Sequence, residues 1–211
     1  GLEHDFVARD VELQRLVPRA RLGLADAIRA AIEADRQNSV IARWVEGSIA
    51  CRNFRPEYAF YAKREGATAQ GTVDADRVFA TVCTIGGEDG WFYANLLWWI
   101  RGACDWVVGG PSFRRKRRHP TELRVGDVVD SWRVIALEPG RRLTLLMEMK
   151  APGAGVLEFV VQPQATGASV SATAYWHPAG VWGLVYWYSL IPAHAFIFRG
   201  LTRAIIRRAS R

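Results

Sequence analysis

Residues 141–178 read RRLTLLMEMKAPGAGVLEFVVQPQATGASVSATAYWHP, and residues 180–198 read GVWGLVYWYSLIPAHAFIF. The first stretch alternates. Leu143, Leu145, Met147 and Met149 share one face, as do Leu157, Phe159 and Val161, and then Val170, Ala172, Ala174 and Trp176. Glu148, Glu158 and Thr173 fall on the opposite face, the pattern of antiparallel strands with one dry side. Ala151-Pro152-Gly153 and Thr166-Gly167 punctuate the strands as turns. The second stretch is apolar on every side, with Ser189, Pro192 and His194 inside it and a basic tail after it. A meander delivered onto a long closing helix predicts the α+β class, with a curved antiparallel sheet wrapped around the C-terminal helix. Such a grip encloses a greasy pocket more readily than it builds a catalytic centre.

Working outward from there, strands are expected at 127–137, 142–150, 155–162 and 168–177. Two helices precede them. One covers 74–82, with Asp74 as the N-cap that satisfies free amides of the first turn. The other covers 92–107 and is almost all apolar, with Arg101 and Asp105 at the i,i+4 spacing of a helical ion pair. Gly86-Gly87-Glu88-Asp89-Gly90 separates the two, and 58–64 is a further strand candidate. Residues 36–56 read as a linker or crossing segment. Residues 1–35 hold a strand candidate at 6–8 and a helix at 25–33, with Leu24, Ile28, Ala31 and Ile32 on one stripe.

Composition narrows the partners without naming one. Half of the 211 residues are apolar and nine are Trp, which rules out a disordered chain and suits the lining of cavities or interfaces. The net charge of +7 favours anionic partners, lipid and nucleic acid among them. Cys51, Cys83 and Cys104 show no CxxC spacing, so a reducing, cytoplasmic setting is the simpler expectation. No signal peptide opens the chain, and its first residue is Gly, so a preceding tag or domain is expected to have been removed.

Several words of this sequence, in order, resemble one family. They are Gly90-Trp91-Phe92-Tyr93-Ala94-Asn95, Asp130-Ser131-Trp132-Arg133-Val134, Glu148-Met149-Lys150, Leu157-Glu158-Phe159 and Val185-Tyr186-Trp187-Tyr188. Together, over roughly 57–208, they resemble DUF2867, a family of the START/Bet v 1-like (SRPBCC) helix-grip superfamily. The resemblance implies a helix-grip domain over 57–211. It also implies that in many relatives this domain follows an NAD(P)-binding domain of the atypical short-chain dehydrogenase type. Residues 6–33 are similar to the closing strand and helix of such a domain, so 1–35 reads as its remnant. No GxGxxG is present, because Gly86-Gly87 lacks the required third glycine. The chain alone is therefore expected to bind no dinucleotide; NAD(P) enters only with a preceding domain.

The resulting expectation is a hydrophobic small molecule held between helix and sheet. The pocket candidates are Trp91, Tyr93, Trp98, Trp132, Met147, Phe159, Trp176, Trp187 and Phe198. Arg133, Glu148 and Glu158 have two readings: a cross-strand ion-pair ladder facing water, or a polar cluster inside the grip that orients a ligand. His119, His177 and His194 show no HxH, HExxH or Cys/His spacing, so no metal site is expected and each reads as a hydrogen-bonded structural histidine. The run 114–118, Arg-Arg-Lys-Arg-Arg, lacks interleaved aromatics and reads as a solvated loop rather than a specific nucleic-acid site. Residues 180–198 read first as a core helix, with oligomer or interdomain contact and interfacial membrane contact as alternatives. Pro192 is expected to break or kink that helix. Two rival functions stand beside simple binding: the substrate-holding part of an NAD(P)-dependent oxidoreductase or isomerase, and a peripheral membrane or assembly module.

Overall fold

A computed structural model of the chain describes residues 23–36, 63–111 and 117–211. The chain divides into two units, Gly1–Ile41 and Ala42–Arg211. In the first, the described part is helix α1 (Leu24–Arg36), whose Leu24, Ile28 and Ile32 are all exposed. The strand candidate at 6–8, the 36–56 linker apart from Arg36, and most of the 58–64 strand lie outside the described residues.

The second unit begins with strand β1 (Lys63–Gly71) and helix α2 (Ala75–Cys83). The Asp74 carboxylate accepts from the Asp76 amide at 3.0 Å, capping α2 as its sequence requires. A 3-10 turn (Gly87–Asp89) and helix α3 (Asn95–Val107) follow. Strands β2 (Val128–Val129), β3 (Trp132–Glu138), β4 (Arg142–Met147), β5 (Gly153–Gln164) and β6 (Gly167–Pro178) complete the sheet. Helix α4 (Gly180–Ala209) closes the chain. The six strands form one antiparallel sheet in the order β1-β6-β5-β4-β3-β2. The fold is a helix grip.

Details of the sequence reading change, the helix expected over 92–107 among them, since it begins at Asn95 after left-handed Phe92 and Ala94. The single strand expected over 127–137 is two short strands, because Asp130 takes a left-handed conformation (φ 52°) and turns the chain between them. The basic tail is the last three turns of α4 itself, and the helix continues through Pro192.

Register explains where the core ends and open space begins. Leu143 pairs with Phe159, which pairs with Ala172. One row along, Leu145 pairs with Leu157, which pairs with Ala174. Leu143, Leu145, Phe159 and Ala172 are fully buried, and Val78, Val82, Leu201 and Ile205 from α2 and α4 are buried in the same cluster. The next row holds Trp132 paired with Met147, and Gly155 paired with Trp176. Gly155 and Ala174 are the small residues here and both border open space, although Met147 Sδ already closes to 3.3 Å on the position a Cβ of Gly155 would take. The solid core thus occupies one end of the grip and a cavity the other.

Candidate functional site

The cavity has a volume of about 390 Å³. Its sheet wall is Trp132, Met147, Gly155, Leu157, Ala174 and Trp176. Helix α3 contributes Leu97, Trp98, Ile100, Arg101 and Cys104, and the first half of α4 contributes Tyr186, Trp187, Leu190, Ala193 and His194, continuing to Ile197 and Phe198. The α4 side chains arrive at helical spacing, so one face of that helix roofs the cavity. Gly183 allows the approach: a Cβ there would overlap Pro152 and Pro178, and its carbonyl accepts from Trp176 Nε1 at 3.0 Å.

Six of the nine aromatic and apolar candidates therefore stand in the cavity wall: Trp98, Trp132, Met147, Trp176, Trp187 and Phe198. The other three stand outside the wall. Trp91 stacks on Trp98 with ring centres 4.3 Å apart and donates Nε1–H to Asp130 at 3.0 Å. Tyr93 packs on Phe196, ring centres 5.3 Å apart. Phe159 is fully buried in the core row.

The polar trio is not in the wall either. Arg133 and Glu148 form an ion pair at 2.6 Å with side chains 8% and 1% exposed, and Arg133 also donates to the Gly126 carbonyl at 3.0 Å. This corrects the water-facing ladder, because the segment leading into β2 covers that end of the opposite face. Glu158 is partly exposed and accepts from the Tyr175 hydroxyl at 3.3 Å. Burial and the Glu158 charge together push the Tyr175 phenol above its ordinary value.

The polar groups that do face the cavity include Arg101 and His194, which the sequence reading gave structural roles. Arg101 sits with its guanidinium carbon 5.4 Å from the centre of the Tyr186 ring and donates to Met147 Sδ at 3.4 Å. Among the described residues no carboxylate lies within ion-pair distance of it. The expected helical partner, Asp105, is 2% exposed and turned away, accepting from the Lys150 amide at 2.7 Å. His194 lies between the rings of Trp187 (5.2 Å) and Phe198 (5.4 Å), and its Nδ1 is buried without a partner. Trp98 Nε1 is likewise buried and unpaired. Burial, with the Arg101 charge added, lowers the His194 pKa to about 4, so the ring is neutral at pH 7. The expectation of a hydrogen-bonded histidine inside a helix fails here. Orphaned buried polar atoms are costly and uncommon, and two of them bound one apolar cavity.

The basic run is corrected in part. Arg117 donates to the carbonyls of Ile85 and Cys83, the latter at 2.6 Å, and Arg118 grips Asp127 with contacts of 2.9–3.1 Å. Two of the five cations therefore tie α2 and the β2 approach together, while 114–116 lie outside the described residues. Burial pushes the Cys83 thiol beside this junction up to about 11, so it behaves as a structural cysteine.

A dinucleotide does not fit the glycine pair. Gly86-Gly87 leads into a three-residue turn that carries Glu88 and Asp89, and Asp89 pairs with Arg208. Acidic side chains at that position oppose a pyrophosphate, and no strand feeds the turn.

The family described as "Protein of unknown function (DUF2867)" matches residues 57–201. The chain belongs to DUF2867. No curated protein matches it. Among solved structures, this DUF2867 chain is similar to MLL2253 from Mesorhizobium loti, at 12% identity and TM-score 0.40, covering 69% of this chain and 98% of that one. It is also similar to CalU16 from Micromonospora echinospora (12%, TM-score 0.41, 71% and 82%). A third is the di-domain ARO/CYC BexL from the BE-7585A biosynthetic pathway (13%, TM-score 0.42, 68% and 46%). Likeness at that level carries nothing about the ligand or reaction of the DUF2867 chain.

Proposed function

We propose that this domain binds a largely apolar small molecule carrying one acidic or strongly accepting oxygen. The observation that carries the reading is Arg101, a guanidinium in an apolar cavity with no carboxylate partner among the described residues. Its neighbours suit the same group. Trp98 Nε1 can only donate, and neutral His194 offers one donor and one acceptor. The cavity lies within the ~300–1,000 Å³ typical of small-molecule sites, towards its small end. Trp132, Trp176, Trp187 and Met147 supply apolar contact to the rest of the ligand, and Arg101 fixes its orientation.

Native mass spectrometry of the purified protein tests this, alongside an Ala174→Phe variant whose added ring fills the cavity. A bound mass of a few hundred daltons should accompany the wild type, or be taken up from a panel of apolar acids, and be lost from the variant. A mass retained by Ala174→Phe, or no uptake of any acid by the wild type, contradicts the reading.

A second reading follows from α1. Its exposed stripe of Leu24, Ile28 and Ile32 is what the closing helix of a dinucleotide-binding domain presents once separated from its sheet. On that reading the cavity holds the substrate of an NAD(P)-linked oxidoreductase or isomerase whose dinucleotide site lies in a preceding domain. A longer chain including that domain should then bind NAD(P)H, and this chain alone should not.

A further inference from the structure

Around the cavity mouth, the two helices that form it expose large apolar side chains to solvent. On α3, Leu96, Ile100, Trp106 and Val107 are 69%, 45%, 58% and 77% exposed. On α4, Val181, Trp182, Val185, Tyr188 and Phe196 are between 53% and 77% exposed, and their spacing places them on one side of the helix. Leu97 and Ile100 are both exposed and part of the cavity wall, so the mouth opens on this same side. The Arg101–Tyr186 contact links the two helices there, and Tyr93, in the loop before α3, packs on Phe196 of α4. Soluble monomers rarely expose contiguous apolar surface of this extent without a use for it.

Charge selects the partner. Helix α4 contains no Asp or Glu, and the one acid of α3, Asp105, is buried. Along the exposed side of α4 the apolar residues give way to exposed Arg199 and Arg203. Lys63 reaches over the Tyr188 ring at 5.9 Å, and exposed Lys150 bonds the Val108 carbonyl at the end of α3. Trp and Tyr at the edge of an apolar face, bordered by cations, match the boundary between acyl chains and anionic headgroups. The helix is apolar enough to cross a bilayer by length and composition. However, Gly183, Trp187, Ile197, Phe198, Leu201 and Ile205 on its other side are buried in the domain, so only one face is free and it can lie against lipid but not span it.

We propose that the exposed face shared by α3 and the first half of α4 docks on an anionic lipid bilayer, with the cavity mouth turned toward the lipid. This surface stands independently of what the cavity binds. A second copy of the chain is the less suitable occupant, since it would bring together two faces that both carry bordering cations and no exposed acid.

Co-sedimentation of the full chain with phosphatidylcholine vesicles, with and without phosphatidylserine, tests it. The wild type should sediment with the phosphatidylserine vesicles and less so in high salt. Val185→Glu with Trp182→Glu should weaken that partition by about tenfold or more, as expected from losing apolar contact and adding repulsion. Brominated phosphatidylcholine in phosphatidylserine vesicles gives a check that needs no variant, since it should quench wild-type tryptophan emission. Absence of sedimentation, absence of quenching, or equal partition of a folded double variant overturns the proposal. So does a dimer in light scattering that the double variant returns to monomer, which would assign the face to self-association.

Discussion

The guanidinium carbon of Arg101 lies 5.4 Å from the centre of the Tyr186 ring, linking α3 to α4 at the cavity. An aromatic face holds a cation without neutralising it, which leaves the charge available to a ligand. Burial also raises the Tyr186 phenol, keeping it protonated. Replacing Tyr186 with Leu should therefore weaken binding of an apolar acid by about 2- to 30-fold, the worth of a cation–π contact of ~0.5–2 kcal/mol. Tyr186→Phe keeps the ring and should retain most of the affinity. Equal losses in both variants, measured by fluorescence titration, would count against this role.

His194 makes stability fall on acidification. Its folded pKa of about 4 lies below the ordinary 6.5, so between those values the unfolded chain binds the proton and the folded chain does not. The stabilising contribution is full above pH 6.5 and is lost as pH falls toward 4. The loss amounts to about 3 kcal/mol, taking ~1.4 kcal/mol per pH unit. Denaturant melts of wild type and His194→Phe should diverge over that window, with the variant flatter. Parallel curves would show that the ring titrates normally.

At Gly200, α4 comes close against the loop before α3. A Cβ there would overlap the ring of Tyr93. Glycine inside a helix is ordinarily improved by alanine by ~0.5–1 kcal/mol, but here overpacking of ~1–3 kcal/mol wins. Gly200→Ala should lower the midpoint of thermal unfolding. Tyr93→Ala with Gly200→Ala should recover part of that loss through the alanine, and a single variant more stable than wild type would contradict the packing.

The Arg133–Glu148 pair is buried, so removing Glu148 leaves the Arg133 charge without its carboxylate. Glu148→Ala should cost about 3–5 kcal/mol, read from urea unfolding. Its effect on ligand binding should be small, since neither residue lines the cavity. A loss of affinity without a loss of stability would return this pair to the ligand site.

Much of the grip was legible because alternation and capping are local signals. The dry faces of β4, β5 and β6, the Asp74 cap and the family words all follow from short-range spacing. Six of the nine aromatic and apolar pocket candidates also reach the cavity wall, since large side chains on a dry face near the closing helix have few other places to go. What periodicity could not show is which side of an all-apolar helix faces inward. Residues 180–198 carry no polar stripe, so the exposure of Val181, Val185 and Tyr188 appears only once the sheet is in place. Arg101 was hidden by Asp105, because i,i+4 spacing suggests a helical ion pair and only the Lys150 amide reveals that Asp105 is taken elsewhere. His194 was read as satisfied for a similar reason: sequence shows a donor and acceptor but not the absence of a partner. Arg117 and Arg118 looked like a solvated run because their carbonyl and carboxylate partners are distant or belong to a loop.

The central claim is that Arg101 anchors one oxygen of an otherwise apolar ligand, and a matched pair of ligands tests it most directly. Calorimetric titration of wild type and Arg101→Met is made with an apolar carboxylic acid and its primary amide. Methionine keeps an apolar stem and removes the guanidinium with its charge and N–H donors. The acid should bind the variant about 10- to 100-fold more weakly, the scale of a charged hydrogen bond at ~1.5–3 kcal/mol, while the amide changes several-fold less. Acid and amide weakened equally, or acid binding untouched by the substitution, would contradict the account.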